Sequence, residues 1–257
     1  MKHLSWSKEQ HVATVVINSP PANALSSGLL SELSDILDEI ENDQSVKTVV
    51  LKGEGRFFSA GADIKEFTIL QNESDYANLA KKGQQLLNRI ERFHIPVIAS
   101  IHGAALGGGL ELAMACHVRI ATKDAKLGLP ELNLGIIPGF AGTQRLPRYV
   151  GLPKAYEMIL SGEPISGEEA EKLGLVNMAV EEGELDEKTM NLAKKFASKS
   201  GPSIRAVMNL LPYAYTSQFD QGVEQEAIEF GKVFGNDDAK EGVQAFIEKR
   251  KPNFQDK

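Results

Sequence analysis

Apolar positions along the first two-thirds of the chain fall into two alternating rhythms. Short β-branched runs read as strands at Val12 to Ile17, Thr48 to Lys52 and Pro96 to Ile101, with a shorter one at Val118 to Ala121. Between the first two, Leu29, Leu30, Leu33, Ile36, Leu37 and Ile40 recur at helical spacing. Between the next two, Tyr76, Leu79, Ala80, Gly83, Leu87 and Ile90 do the same. Strand, helix, strand in that order predicts parallel pairing with right-handed crossovers, and so an α/β class.

The last third is helical. Pro164, Ser166 and Glu169 form a capping-box signature, and Gly174 stands where a helix C′ glycine would. Leu192, Ala193 and Phe196 continue the pattern, followed by Phe219, Val223, Ala227 and Phe230, then Val243, Phe246 and Ile247. Pro202 suggests a boundary, with a core at 1–200 and a helical region at 201–257. So small a helical region cannot bury its own aromatics. It is expected to pack on the body, on a neighbouring subunit, or both.

Composition narrows the function classes. The 257 residues are 42% hydrophobic and 25% charged, as in an ordinary soluble globular protein. A net charge of −7 leaves no electrostatic footprint for nucleic acid or an anionic membrane. Lys81, Lys82, Arg89 and Arg92 could make a basic helical face, but Glu91 interrupts it. Cys116 is the single cysteine, so no internal disulfide forms. The N-terminus has no targeting character, and no apolar run nears the ~18 residues of a membrane span. A cytoplasmic protein is expected, although a processed organellar enzyme would look the same. Phosphate-loop, zinc-helix, CxxC and nucleophile-elbow motifs are absent, so no metal site or bound cofactor is expected.

Three segments carry chemistry. In the run from Ile101 to Cys116, a strand ends, Gly107, Gly108 and Gly109 follow, and an apolar helix begins. Such a junction offers unpaired amides and a positive dipole end to an oxygen gaining charge. It would serve equally as a tight turn. Glu111 lies inside this helix with apolar neighbours all round, which implies burial and a raised pKa. Glu131, after Pro130, is also flanked by apolar residues, on a loop or turn. Alone it reads as well as a surface acid; with Glu111 it could complete a general acid/base pair. From Arg56 to Glu66, small residues Ser59 to Ala62 expose backbone between the charges of Arg56 and Lys65.

These segments resemble the enoyl-CoA hydratase/isomerase, or crotonase, superfamily. FFSAGADIKE (57–66), HGAALGGGLELAMAC (102–116) and LGLPELNLGIIPGFAGTQRLPR (127–148) occur in family order, and FIEKRKPNF (246–254) is similar to a hydratase terminus. The resemblance implies a spiral of ββα units with a helical C-terminal trimerisation region, and homotrimers pairing into hexamers. It implies an acyl-CoA thioester substrate, with coenzyme A entering as part of it. The amides of Ala62 and Gly108 match an oxyanion hole. Ala60, Asp63, Ile64 and Lys65 match the CoA path. Arg56, and Phe246 and Lys249 from this or a neighbouring subunit, match further CoA contacts. Gly139 matches a position near the reacting water. Glu111 is expected to activate that water and Glu131 to deliver a proton to C2 of a 2-enoyl thioester. Retention of both acids favours a hydratase over an isomerase, and an RNA-binding relative is the reading from another class. His117 departs from the aspartate of many members. Phe67, Ile69, Leu70 and the 71–78 stretch are expected to shape the acyl pocket.

Overall fold

The computed structural model describes residues 1–67 and 72–256. Ile69, Leu70 and the start of the 71–78 stretch, expected to shape the acyl pocket, lie outside the described residues, as does the side chain of Phe67.

In chain order the elements are β1 (Leu4–Glu9), β2 (Val12–Ile17), α1 (Ser27–Asn42), β3 (Thr48–Gly53), α2 (Ile64–Phe67), α3 (Glu73–Glu91), β4 (Val97–Ile101) and β5 (Ala104–Leu106). Then come α4 (Gly108–Ala115), β6 (Val118–Thr122), β7 (Lys126–Gly128), α5 (Gly142–Ser161), β8 (Ile165–Ser166), α6 (Gly167–Lys172) and β9 (Met178–Val180). Four helices close the chain: α7 (Leu185–Ala197), α8 (Gly201–Leu210), α9 (Phe219–Phe234) and α10 (Asp237–Ile247).

One sheet has the order β1-β2-β3-β4-β6-β9, antiparallel at β1/β2 and parallel thereafter. A smaller sheet has the order β5-β7-β8. Alternation along the strands divides the core. Val49, Leu51, Val97, Ala99 and Ile101 join the apolar stripes of α1 and α3 in the main cluster. Val50, Ile98, Ile120 and Val180 form a second cluster with α7, where Ser100 and Thr189 hydroxyls meet at 3.2 Å. The amphipathic stripes therefore find their sheet faces as the period predicts. Ser26 caps α1 through Leu29 N–H, and Ser166 caps α6 through Glu169 N–H. Gly174 takes φ 80°, the left-handed C′ conformation expected of it.

Several elements differ from the sequence reading. β1 is an edge strand whose hairpin turns at Gln10 and His11, both at positive φ. Without the usual Asn-Gly pair, that hairpin carries no local signal. The end of the 127–148 motif, to which the sequence reading assigned no element, is helical: α5 contains Pro147 and Pro153 and is interrupted at Gly151 (φ 74°, ψ 160°). Arg89 is not part of a free basic face, because it bonds Asp38 and Glu41 of α1 at 2.6 and 2.8 Å. That pairing takes one of the four cations out of the basic face behind the RNA-binding alternative. Helices α8 to α10 leave Phe219, Ile228, Phe230, Phe246 and Ile247 more than half exposed. Among the described residues, no helix is long and apolar enough to cross a membrane.

Candidate active site

The segment 59–62 is held from both sides. Ser59 N–H bonds Ala104 C=O, and Ser59 C=O accepts from Leu106 N–H, so it docks along β5. Ser59 Oγ donates to Asn23 C=O, and Leu25 N–H donates to Gly61 C=O. The start of α4 packs directly against it. A Cβ on Gly109 would lie 2.4 Å from Ser59 O, so only glycine allows this approach. A Cβ on Gly108 would lie 3.3 Å from the Ala62 amide nitrogen, and one on Gly61 3.7 Å from the Gly108 nitrogen. The Ala62 and Gly108 amides thus converge, and neither finds an acceptor among the described residues. The Gly108 N–H is one of the orphan donors of a helix start, at the positive end of α4.

Glu111 sits one turn into α4, bonded through its own N–H to Gly107 C=O, and is 1% exposed. Every residue of α4 is buried, as its apolar surroundings predict. Glu111 Oε1 accepts the amides of Phe140 (2.8 Å) and Gly142 (2.6 Å). Both amides face it because Ala141 between them adopts φ 72°, an unfavourable conformation for a residue with a side chain. Burial pushes the Glu111 carboxyl up to about 7 and nearby Glu131 adds to the rise, while the two amides and Arg145 pull it down.

Glu131 opens a 3₁₀ turn, Glu131–Leu134, in keeping with the turn expected after Pro130. It is buried, and burial raises its pKa as well. Its Oε2 is buried without a hydrogen-bond partner among the described residues. A Cβ on Gly107 would lie 3.0 Å from its Oε1, so Gly107 (φ 51°) gives the carboxyl room. Glu111 and Glu131 line one cavity of about 840 Å³ with Ala60, Ala62, Gly108 and Gly139. Its other walls are α3 (Tyr76, Ala77, Ala80) and the stretch from Leu134 to Pro138.

The remaining expected residues divide. Ile64 lines the cavity. Asp63 and Lys65 flank it, Asp63 Oδ1 accepting Lys65 N–H at 3.1 Å, as α2 begins. Arg56 lies 5.0 Å from the Phe57 ring centroid and is not a cavity residue. Phe246 belongs instead to an apolar groove of about 830 Å³ between the C-terminal helices and the body, and Lys249 follows at the end of α10. This chain's own tail therefore does not supply those two contacts to its own cavity. The sequence reading missed the amides of Phe140 and Gly142, and with them Gln84 and Arg145. A second glycine pair, Gly139 and Gly142, just ahead of Arg145 was the available signal.

The family model described as enoyl-CoA hydratase/isomerase matches residues 7–257. The chain belongs to this family. It is 60% identical over 255 residues to a probable enoyl-CoA hydratase of Bacillus subtilis, covering 99% of each chain. It is 41% identical to the short-chain-enoyl-CoA hydratase of Clostridium acetobutylicum, over 95% of this chain and 94% of the other. Among solved structures, an enoyl-CoA hydratase from Bacillus anthracis superposes with TM-score 0.94 at 38% identity, covering 100% of both chains. The fold is accordingly that of the crotonases. Within that family fold, this chain offers two convergent amide donors and two buried carboxyls with raised pKa values around one cavity. That arrangement suits proton transfer beside an oxygen that becomes negatively charged.

Proposed function

We propose that the protein is an enoyl-CoA hydratase, adding water reversibly to a 2-enoyl-CoA to give a 3-hydroxyacyl-CoA. The observation that carries the reading is the meeting of Glu111, Glu131 and the free Ala62 and Gly108 amides in one cavity. The names of the hydratase relatives support the substrate class.

In this mechanism the thioester oxygen accepts both amides, which draws electrons from the conjugated double bond and leaves C3 electrophilic. Each donor contributes about 3–4 kcal/mol as the oxygen becomes an enolate. Ionised Glu111, held by the Phe140 and Gly142 amides, takes a proton from water as the hydroxyl adds to C3. Protonated Glu131 gives its proton to C2 as the enolate collapses. Each turnover leaves Glu111 protonated and Glu131 ionised, and proton exchange with solvent restores both. Their surroundings support this division: Glu111 has donors for a negative charge, whereas Glu131 Oε2 has none among the described residues. Ala60, Asp63, Ile64, Lys65 and Arg56 would guide the CoA portion. Phe246 and Lys249 would reach it from a neighbouring copy in a trimer, alone or paired into hexamers. Coenzyme A would enter only with the substrate, and the cytoplasm is the proposed location.

The test is hydration of crotonyl-CoA, followed by loss of the conjugated thioester absorbance, with a 3-enoyl-CoA as the isomerase control. Glu111→Gln and Glu131→Gln should each lower turnover about 10²–10⁴-fold. Full activity in either folded variant would refute the two-carboxyl mechanism. Conversion of 3-enoyl-CoA without hydration would replace the reading with an isomerase.

A further inference from the structure

Glu111 does not hold its own position; the turn at 139–142 holds it, and that turn is in turn gripped by polar side chains. Gln84, Asn88 and Glu91 recur at i, i+4 and i+7 and so share one face of α3. Gln84 Nε2 donates to Gly139 C=O at 2.9 Å, fixing the peptide that carries the Phe140 amide. Arg145 Nη1 donates to Phe140 C=O at 2.8 Å, fixing the next peptide. Arg145 is itself held by α3, through Asn88 Oδ1 at 2.6 Å and Glu91 Oε2 at 2.9 and 3.2 Å. It is 2% exposed, so its charge acts at low dielectric a short way from Glu111.

A buried guanidinium with this fork of partners would be a poor choice for packing alone, since a volume-matched apolar group serves as well. The strained Ala141 conformation also needs support from its surroundings. Carbonyls gripped on both sides of the Phe140 amide give that support.

We propose that Arg145, anchored on the polar stripe of α3, is a positioning residue that aims the Phe140 and Gly142 amides at Glu111 and sets how readily Glu111 ionises. Gln84 is the lesser member of the same frame. The inference rests on the assignment of Glu111 as the base. The charged groups facing Glu111 are Glu131 from the 3₁₀ turn and Arg145 from α5, with Glu91 of α3 acting through Arg145 while its other oxygen pairs with the more exposed Arg148 at 3.0 Å. The 59–62 segment brings amides only. The pulls of Arg145 and Glu91 on Glu111 are therefore opposite in sign.

The experiment is a pH profile of kcat/KM for wild type, Arg145→Gln and Glu91→Gln, with Tm measured for each. A ¹³C NMR titration of the Glu111 carboxyl accompanies it. Arg145→Gln should move the acid limb up by about one pH unit and lower kcat by about tenfold or more, with a smaller change in KM. Glu91→Gln should move the limb down. Should Arg145→Gln fail to fold, the partly exposed Glu91→Gln decides the matter alone. An unmoved limb in the folded variants, or shifts in one direction that merely follow Tm, would overturn the proposal. If wild type hydrates no enoyl-CoA, the functional reading falls, while the carboxyl titration still decides the role of Arg145.

Discussion

Two glutamates of one chain, both buried, have different surroundings, and the difference is legible atom by atom. Glu111 meets two amides at one oxygen; Glu131 has an oxygen without a hydrogen-bond partner among the described residues. The buried carboxyl of Glu111 has a consequence for stability. Its pKa of about 7 in the fold stands above the ordinary 4.5, so the folded state binds the proton more tightly than the unfolded chain. Stability contributed by the protonated carboxyl is complete below pH 4.5 and is lost as pH rises through about 7. Glu111→Gln, which retains an oxygen for both amides, should therefore be more stable than wild type at pH 8, by up to about 3 kcal/mol. The advantage should vanish near pH 4, as read by urea denaturation at both values. Equal differences at the two pH values would contradict the assigned pKa. Activity has the opposite slope on its acid side: a base with that pKa should give kcat/KM that rises through pH 7, and the need for a protonated Glu131 should turn the profile down at higher pH.

At the scale of elements, the site depends on how closely α4 approaches the 59–62 segment. Gly109 makes the contact possible, since any Cβ there would overlap the Ser59 carbonyl at 2.4 Å, which is backbone and cannot swing away. Gly109→Ala should push α4 outward, destabilise the protein by about 1–3 kcal/mol, and separate the Ala62 and Gly108 donors. Turnover should fall by at least about tenfold, the scale of a misplaced donor. A crystal structure and kinetics of the variant would check both, and wild-type kcat with the alanine in place would mean the amides do not act together. The glycine run was visible as a motif, and so was the helix it starts. What could not be read was the reason for three glycines in a row. One provides a left-handed bend (Gly107), one leaves an amide open (Gly108), and one admits a carbonyl (Gly109). The same holds for α5, whose two prolines and Gly151 hide a helix that the packing against α4 nonetheless sustains.

For the whole molecule, the apolar face of the C-terminal helices is the feature a single chain leaves unresolved. Phe219, Phe230 and Phe246 are 65%, 65% and 84% exposed, more aromatic surface than a stable monomer presents. The proposed trimer would bury it. Light scattering should give a mass well above the 28.0 kDa of one chain, and Phe230→Asp should shift the population toward monomer. A wild-type mass of one chain would dismiss the trimer and with it the reach of Phe246 and Lys249 into a neighbour's site.

The sequence by itself determined the α/β class, the strands and helices with a clear period, and the suspicion over Glu111. These are local properties: burial of a helix follows from its own residues, and motif order survives without coordinates. Glu131 was ambiguous from its local pattern and was assigned only through the family resemblance, because an acid at a turn is buried or exposed according to what packs above it. Only the tertiary structure decided that Glu131 and Glu111 share a cavity and that two amides converge there. It also showed that Gln84, Asn88 and Glu91, ordinary polar residues on a helix, frame the turn that grips Glu111. Those facts rest on contacts between segments about 20 to 60 residues apart, and no local pattern encodes such distances.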